Sequence, residues 1–206
     1  MSTMERCCSV MTGLSARQRR MLQIVLGINV VMFGVELGAG LLAHSTALLA
    51  DSADMLGDAI VYGFSLYVVG RAGVWPARAA VLKGSVMAFF GLGVLAQVID
   101  KIVRGVVPAA DLMGGVGAVA LAANAVCLAL LWRRRTDDVN MRSAWLCSLN
   151  DVAANIGVLL AAVAVSLTGA GWADIAVGLG IAAIFGASAV AVLRDARRAL
   201  RPAPTG

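Results

Sequence analysis

Charge is scarce in this chain. Only 14% of its 206 residues are Asp, Glu, Lys or Arg, against about a quarter in soluble globular domains. Aromatic residues reach only 5%, and there is a single His. With 60% hydrophobic residues and a mean hydropathy of +0.87, too little polar surface remains to cover a soluble fold. That excludes a soluble enzyme and a nucleic-acid-binding domain, despite a net charge of +5. Cysteine is too sparse and too scattered for a disulfide scaffold: Cys7 and Cys8 are neighbours in a polar arm, and Cys127 and Cys147 lie in apolar stretches. What abounds is Gly and Ala, which let helices approach closely in lipid. The chain reads as an integral membrane protein.

The few charges punctuate the apolar sequence. A polar arm, 1–20, precedes six apolar stretches at 21–43, 46–70, 82–102, 111–132, 143–168 and 172–193, and a short tail follows over 194–206. Each stretch approaches the ~20 residues that carry a helix across ~30 Å of hydrocarbon. In the third, Lys83 and Asp100 would have to reach for the interface. The first is too long for the apolar core of a signal peptide. The expectation is an all-α protein of six transmembrane helices, with both termini on one side. Of the 17 Lys and Arg, all but Lys101 and Arg104 fall on that side, so the bias places both termini in the cytoplasm, with the protein in the cell (inner) membrane. The same cationic face explains the basic pI as a match to anionic lipid, with no nucleic acid as partner.

Acids stand where lipid penalises them: Glu36 in the first span, Asp51, Asp54 and Asp58 in the second, Asp151 in the fifth. An ionised group at the bilayer centre costs at least ~2.5–3.5 kcal/mol on insertion scales, so such residues face the interior and usually carry function. At ~100° per residue, Asp51, Asp54 and Asp58 share one stripe, as do Cys147, Asp151 and Asn155. Counting from the helix ends puts Asp54 ~12 Å and Asp58 ~18 Å from one surface, and Cys147 ~8 Å and Asp151 ~13 Å from the other. Asp58 and Asp151 then meet near the midplane. Asp54, Asp58, Cys147 and Asp151 could close a four-ligand cluster suited to Zn²⁺, Cd²⁺ or Co²⁺.

Other polar residues take plainer readings. Asp51 could cap a helix or support the site, and Glu36 with Asn29 could brace neighbouring helices, as Asn155 could support Asp151. Asn124 and Gln97 are expected to hydrogen-bond between helices, and Gly34 and Gly38 to pack a helix pair. Cys127 reads as a buried small hydrophobe and His44 as an interfacial residue. Met1, Met4, Cys7, Cys8 and Met11 read as a disordered tail, although a soft-metal arm is conceivable.

The segment from His44 through Ser45, Ala47, Asp51 and Asp54 to Asp58 resembles the second-helix motif of the cation diffusion facilitator family, and that from Arg142 to Asn155 resembles its fifth-helix motif. Asn29, Glu36, Asn124 and Trp172-Ala-Asp174 also fall where members carry similar residues. The resemblance implies a six-helix exporter of divalent metal, driven by proton antiport and usually a homodimer. It departs in three ways. Cys147 stands where the family usually has His, which hints at a softer ion. The sequence ends about a dozen residues past the sixth span, implying a short member without the usual cytoplasmic C-terminal domain. The 133–142 connector lacks the His-rich loop of some members. No resident cofactor is expected, the metal being cargo with protons as counter-substrate. Two other classes stay open: an intramembrane enzyme with a zinc-bound water, which would need a separate general base, and a passive channel or receptor.

Overall fold

The computed structural model describes residues 14–68, 75–137 and 139–199. The expectations placed on Met1, Met4, Arg6, Cys7, Cys8, Met11, Arg71 and Arg201 lie outside the described residues, as do those on the side chains of Arg78, Lys83, Arg197 and Arg198. Six helices form: α1 (Ala16–Leu42), α2 (Thr46–Val68), α3 (Trp75–Arg104), α4 (Ala110–Trp132), α5 (Val139–Thr168) and α6 (Trp172–Ala199). Helix α1 starts ahead of its apolar stretch because Ser15 and Gln18 form a reciprocal capping box. At the far ends of α3 and α5, Gly105 and Gly169 adopt φ of +64°, the left-handed turn that closes a helix without a Cβ penalty.

Among the described residues, four segments are long and apolar enough to cross a membrane: α1, residues 84–104 of α3, α4, and residues 144–168 of α5. Helix α6 adds a shorter apolar stretch over Trp172–Ile184. Helix α2 carries three Asp and compensates by burial, packing on α1, α3 and α6 and more lightly on α5. Its residues from Thr46 to Met55 are almost all buried. The outward faces are apolar instead: Leu167 is 82% exposed, Val103 78% and Phe89 74%. A surface of that kind is stable only against lipid. This is a multi-pass membrane protein.

Burial sorts into layers along the bundle. One apolar cluster joins the end of α1 and the start of α2 to Met113 of α4, Val158–Val165 of α5 and the start of α6. A second joins Leu22 and Val25 of α1 to Val61 and Tyr62 of α2, Cys127 and Leu131 of α4, and Met141 and Ala144 of α5. The start of α2 thus lies with the end of α5 and its end with the start of α5, so these two helices run antiparallel. The inward-facing acids occupy the level between the clusters, beside Met32, Met55 and Ala120.

Three packing expectations are corrected. Gly34 and Gly38 meet nothing within 4 Å where a Cβ would stand; they lie off the inward Met32–Glu36 stripe and face out. The close approach comes from Gly178 of α6, whose Cβ would stand 2.8 Å from the Thr46 carbonyl carbon. Asn29 does not reach another helix with its amide but donates to the Val25 carbonyl at 2.9 Å, one turn back. Among the described residues, Asn124 finds no side-chain hydrogen-bond partner, and Gln97 Oε1 accepts from none.

Candidate metal centre

The four-residue spacing on α2 and α5 does aim both stripes inward. Asp54, Asp58, Cys147 and Asp151 are 7%, 4%, 5% and 4% exposed, and Asp51 and Asn155 are fully buried. Between the two helices, the Asp151 carboxylate comes within hydrogen-bonding reach of Asp54, with Asp58 and Asp51 also in its electrostatic range. The counted depths pair Asp151 with Asp58, and the fold brings both Asp54 and Asp58 into its electrostatic range. Cys147 and Asp151 both lie within electrostatic range of the Tyr62 phenol. Among the described residues, no three His, Cys, Asp or Glu side chains converge tightly enough to hold a metal ion as they stand. The candidate ligands are therefore gathered at one level on facing helices without being drawn to coordination distance.

Tyr62 belongs to this centre and was not foreseen. Its hydroxyl donates to Asp58 Oδ2 at 3.0 Å, with the ring buried on the Val61 side of the site. The signal was present, since Tyr62 extends the 54–58 spacing by one more turn. Cys127 of α4 is a buried thiol in electrostatic range of Asp58, closer to the centre than a plain packing residue need be.

Toward the α1–α2 turn, two further acids stand differently. Glu36 lies in electrostatic range of Asp51 and Asp54, and neither Glu36 nor Asp51 accepts a hydrogen bond through either carboxylate oxygen. Glu36 therefore does not brace a neighbour by hydrogen bonding, and Asp51 does not cap a helix. Asn155 turns its amide back to the Asp151 carbonyl at 2.8 Å and leaves Oδ1 without a partner.

At the start of α2 itself, a sixth acid is saturated. Asp174 of α6 accepts from Ser45 Oγ at 2.6 Å, the Thr46 amide at 2.8 Å and the Ala47 amide at 3.1 Å, and also from the Thr46 hydroxyl. The Lys101 ammonium from the end of α3 completes the set as an ion pair, with both side chains buried. Lys101, counted in the sequence only as a charge on the side opposite the termini, is thus an internal counter-ion. Asp100 beside it remains exposed and pairs with Arg104 at 2.6 Å, one turn on, rather than reaching alone for the interface. His44, at this same end, is exposed and holds the turn with φ of +51°.

Inward acids from two antiparallel helices, in a six-helix bundle with a lipid-facing exterior, make the comparison with known proteins specific. The family model described as the cation efflux transmembrane domain matches residues 22–201. The chain belongs to the cation efflux family, also called the cation diffusion facilitators. A curated member, the "Cadmium, cobalt and zinc/H(+)-K(+) antiporter" of Bacillus subtilis (strain 168), is 25% identical over 157 residues, which cover 68% of this chain and 50% of that protein. The chain thus spans about half the length of the curated relative it matches. Within the cation efflux family the matched region contains all four candidate ligands, helices α2 to α6 and α1 from residue 22 onward.

Proposed function

We propose that this protein exports divalent cations of the Zn²⁺, Cd²⁺ and Co²⁺ class in exchange for protons, using Asp54, Asp58, Cys147 and Asp151 as ligands. The observation that carries the reading is the meeting of Asp54 and Asp151 across α2 and α5, with Asp58 and Cys147 one turn away on the same helices. A buried anion without a counter-charge costs several kcal/mol, and a passing cation supplies what the bundle's interior lacks. Glu36, Asp51 and Asn155 support the site from the next turns. The bundle draws its ligands together as the metal arrives, because three carboxylates repel one another without it.

Exchange follows from ligand chemistry. Metal and protons compete for the same oxygens and the same sulfur, since a ligand binds metal only after losing its proton. Loading on the cytoplasmic side releases protons there, and protons arriving from outside displace the metal outward. Each proton entering down 100 mV contributes about 2.3 kcal/mol. This reading takes residues 1–20 and 194–206 as cytoplasmic flanks of a 21–193 membrane domain in the cell (inner) membrane, with both termini and the 133–142 connector inside and a homodimer as the working unit. The arginines at 17, 19, 20, 133, 134, 135 and 142 support that orientation. The cargo is written as substrate: a transporter, with no reaction catalysed on it.

Proteoliposomes holding the purified protein under an imposed pH gradient test this, with Zn²⁺, Cd²⁺, Co²⁺, Mn²⁺ and Fe²⁺ side by side. Gradient-driven movement of the first three is expected. Movement without proton counter-flow would make it a channel, and no movement of any ion would end the proposal. A cysteine introduced at Thr136 should label only from the cytoplasmic side; labelling from outside in intact cells reverses the orientation.

A further inference from the structure

The Asp174 carboxylate is spent twice. It neutralises Lys101, and it also ends a helix that is not its own. The first backbone amides of a helix have no partner within it, and a side-chain oxygen usually caps them from the preceding residues. In α2, Ser45 caps only the Leu48 amide at 3.1 Å. The amides of Thr46 and Ala47 go to Asp174, 128 and 127 residues along the chain, on α6. The contact is tight as well as polar, since Gly178, one turn further along α6, abuts the Thr46 backbone so closely that a Cβ there would clash. Polar and steric contacts together fix both the rotation and the depth of α2 against α6.

That rotation is inherited by the candidate ligands. At 100° per residue, Asp54 and Asp58 stand about 80° and about 120° round the helix from Thr46, so a turn of α2 at its start swings both carboxylates relative to Asp151. Helix α2 packs only lightly on α5, so the α2–α5 contact itself does little to hold that angle. We propose that Asp174 is a positioning residue for transport: as a cap supplied by α6, it sets the azimuth of α2 so that Asp54 and Asp58 face Cys147 and Asp151, while Lys101 balances its charge. This inference rests on the proposed transport site.

The test separates the cap from the ion pair. Lys101→Met removes the pair and leaves the acceptor; Lys101→Met/Asp174→Ala removes both without stranding a buried charge; Lys101→Met/Asp174→Asn restores an acceptor oxygen. In proteoliposomes at equal folded protein, Lys101→Met should keep KM for Zn²⁺ and Cd²⁺ within about threefold of wild type, whereas the Ala double variant should raise KM by about tenfold, the usual weight of a lost cap. The maximal rate should change less than KM, and the Asn double variant should recover most of the loss. Hydrogen exchange of the residue 46–49 amides should quicken in the Ala double variant alone. Equal KM in Lys101→Met and the Ala double variant overturns the proposal, as does unchanged amide exchange or failure of Lys101→Met to fold. A wild-type protein that moves none of the metals refutes the transport reading instead, and amide exchange then decides on the cap alone.

Discussion

Two kinds of buried acid share this bundle, and they differ only in their company. Asp174 is fully buried and accepts from two hydroxyls, two backbone amides and an ammonium. Glu36 and Asp51 are equally buried and accept from nothing. An acid surrounded by donors has its charge answered by the fold and serves architecture; removing it strands its partners. An acid held without donors gains nothing for the fold. Burial alone therefore does not separate the two kinds of acid; the census of donors around each does.

The sharpest way to break this contrast is to delete acids at the proposed site. Asp58→Ala and Asp151→Ala should each abolish metal uptake by vesicles while leaving membrane insertion and folding intact. Uptake by either variant at wild-type protein levels would remove that residue from the ligand set. Next in size is a pair of stability measurements on the purified protein. Asp174→Asn leaves Lys101 buried without a counter-charge and should cost about 3–5 kcal/mol, seen as a clear fall in thermal midpoint. Glu36→Gln should be neutral or stabilising, because no donor loses its acceptor. If both variants melt alike, the donor census does not distinguish the two kinds of acid.

A subtler change concerns the choice of ion. Thiolate favours soft cations over those that prefer oxygen, so Cys147→His should lower the Cd²⁺:Zn²⁺ transport ratio, and Cys147→Ser should weaken both ions, Cd²⁺ the more. Competition assays on the three proteins measure this, and an unchanged ratio in both places Cys147 outside the ligand set. The smallest effect is expected from Tyr62→Phe, which removes the hydroxyl that holds Asp58 Oδ2 and should weaken metal affinity by about tenfold or less. A metal titration on the purified variant reads it directly.

How much of this was legible in the sequence follows from the range of each interaction. The helices and both inward stripes follow from apolar length and four-residue spacing, which are local. The facing of α2 and α5 was also within reach, because alternating spans run antiparallel and depth can be counted. Counting carries an error of about one turn, or ~5 Å, so it brings Asp151 to the level of Asp54 and Asp58 without choosing between them. The Lys101–Asp174 pair was out of reach, as its members are 73 residues apart at the ends of different helices and one resembles an ordinary charge at a span's end. Asparagine misled in another way: an amide in a helix can satisfy itself on the carbonyl one turn back, as Asn29 and Asn155 do, and composition cannot foretell that choice.

The two apolar clusters that close the ends of the bundle have a consequence for energy economy. They enclose the acid-bearing level from both directions, one around Leu48, Met113 and Val158 and the other around Tyr62, Leu131 and Met141. If the proposed exchange of metal for protons holds, these are two stoppers in series, and the gradient survives only while at least one is seated. Small residues dominate the first stopper, with Ala39, Ala43, Ala47, Ala50, Ala161, Ala162 and Ala173, whereas Leu, Met, Tyr and Val make most of the second. Flat alanine surfaces slide past one another with little steric interlock, while interdigitated larger side chains must be prised apart. The two clusters are thus unequal in how far their side chains interlock.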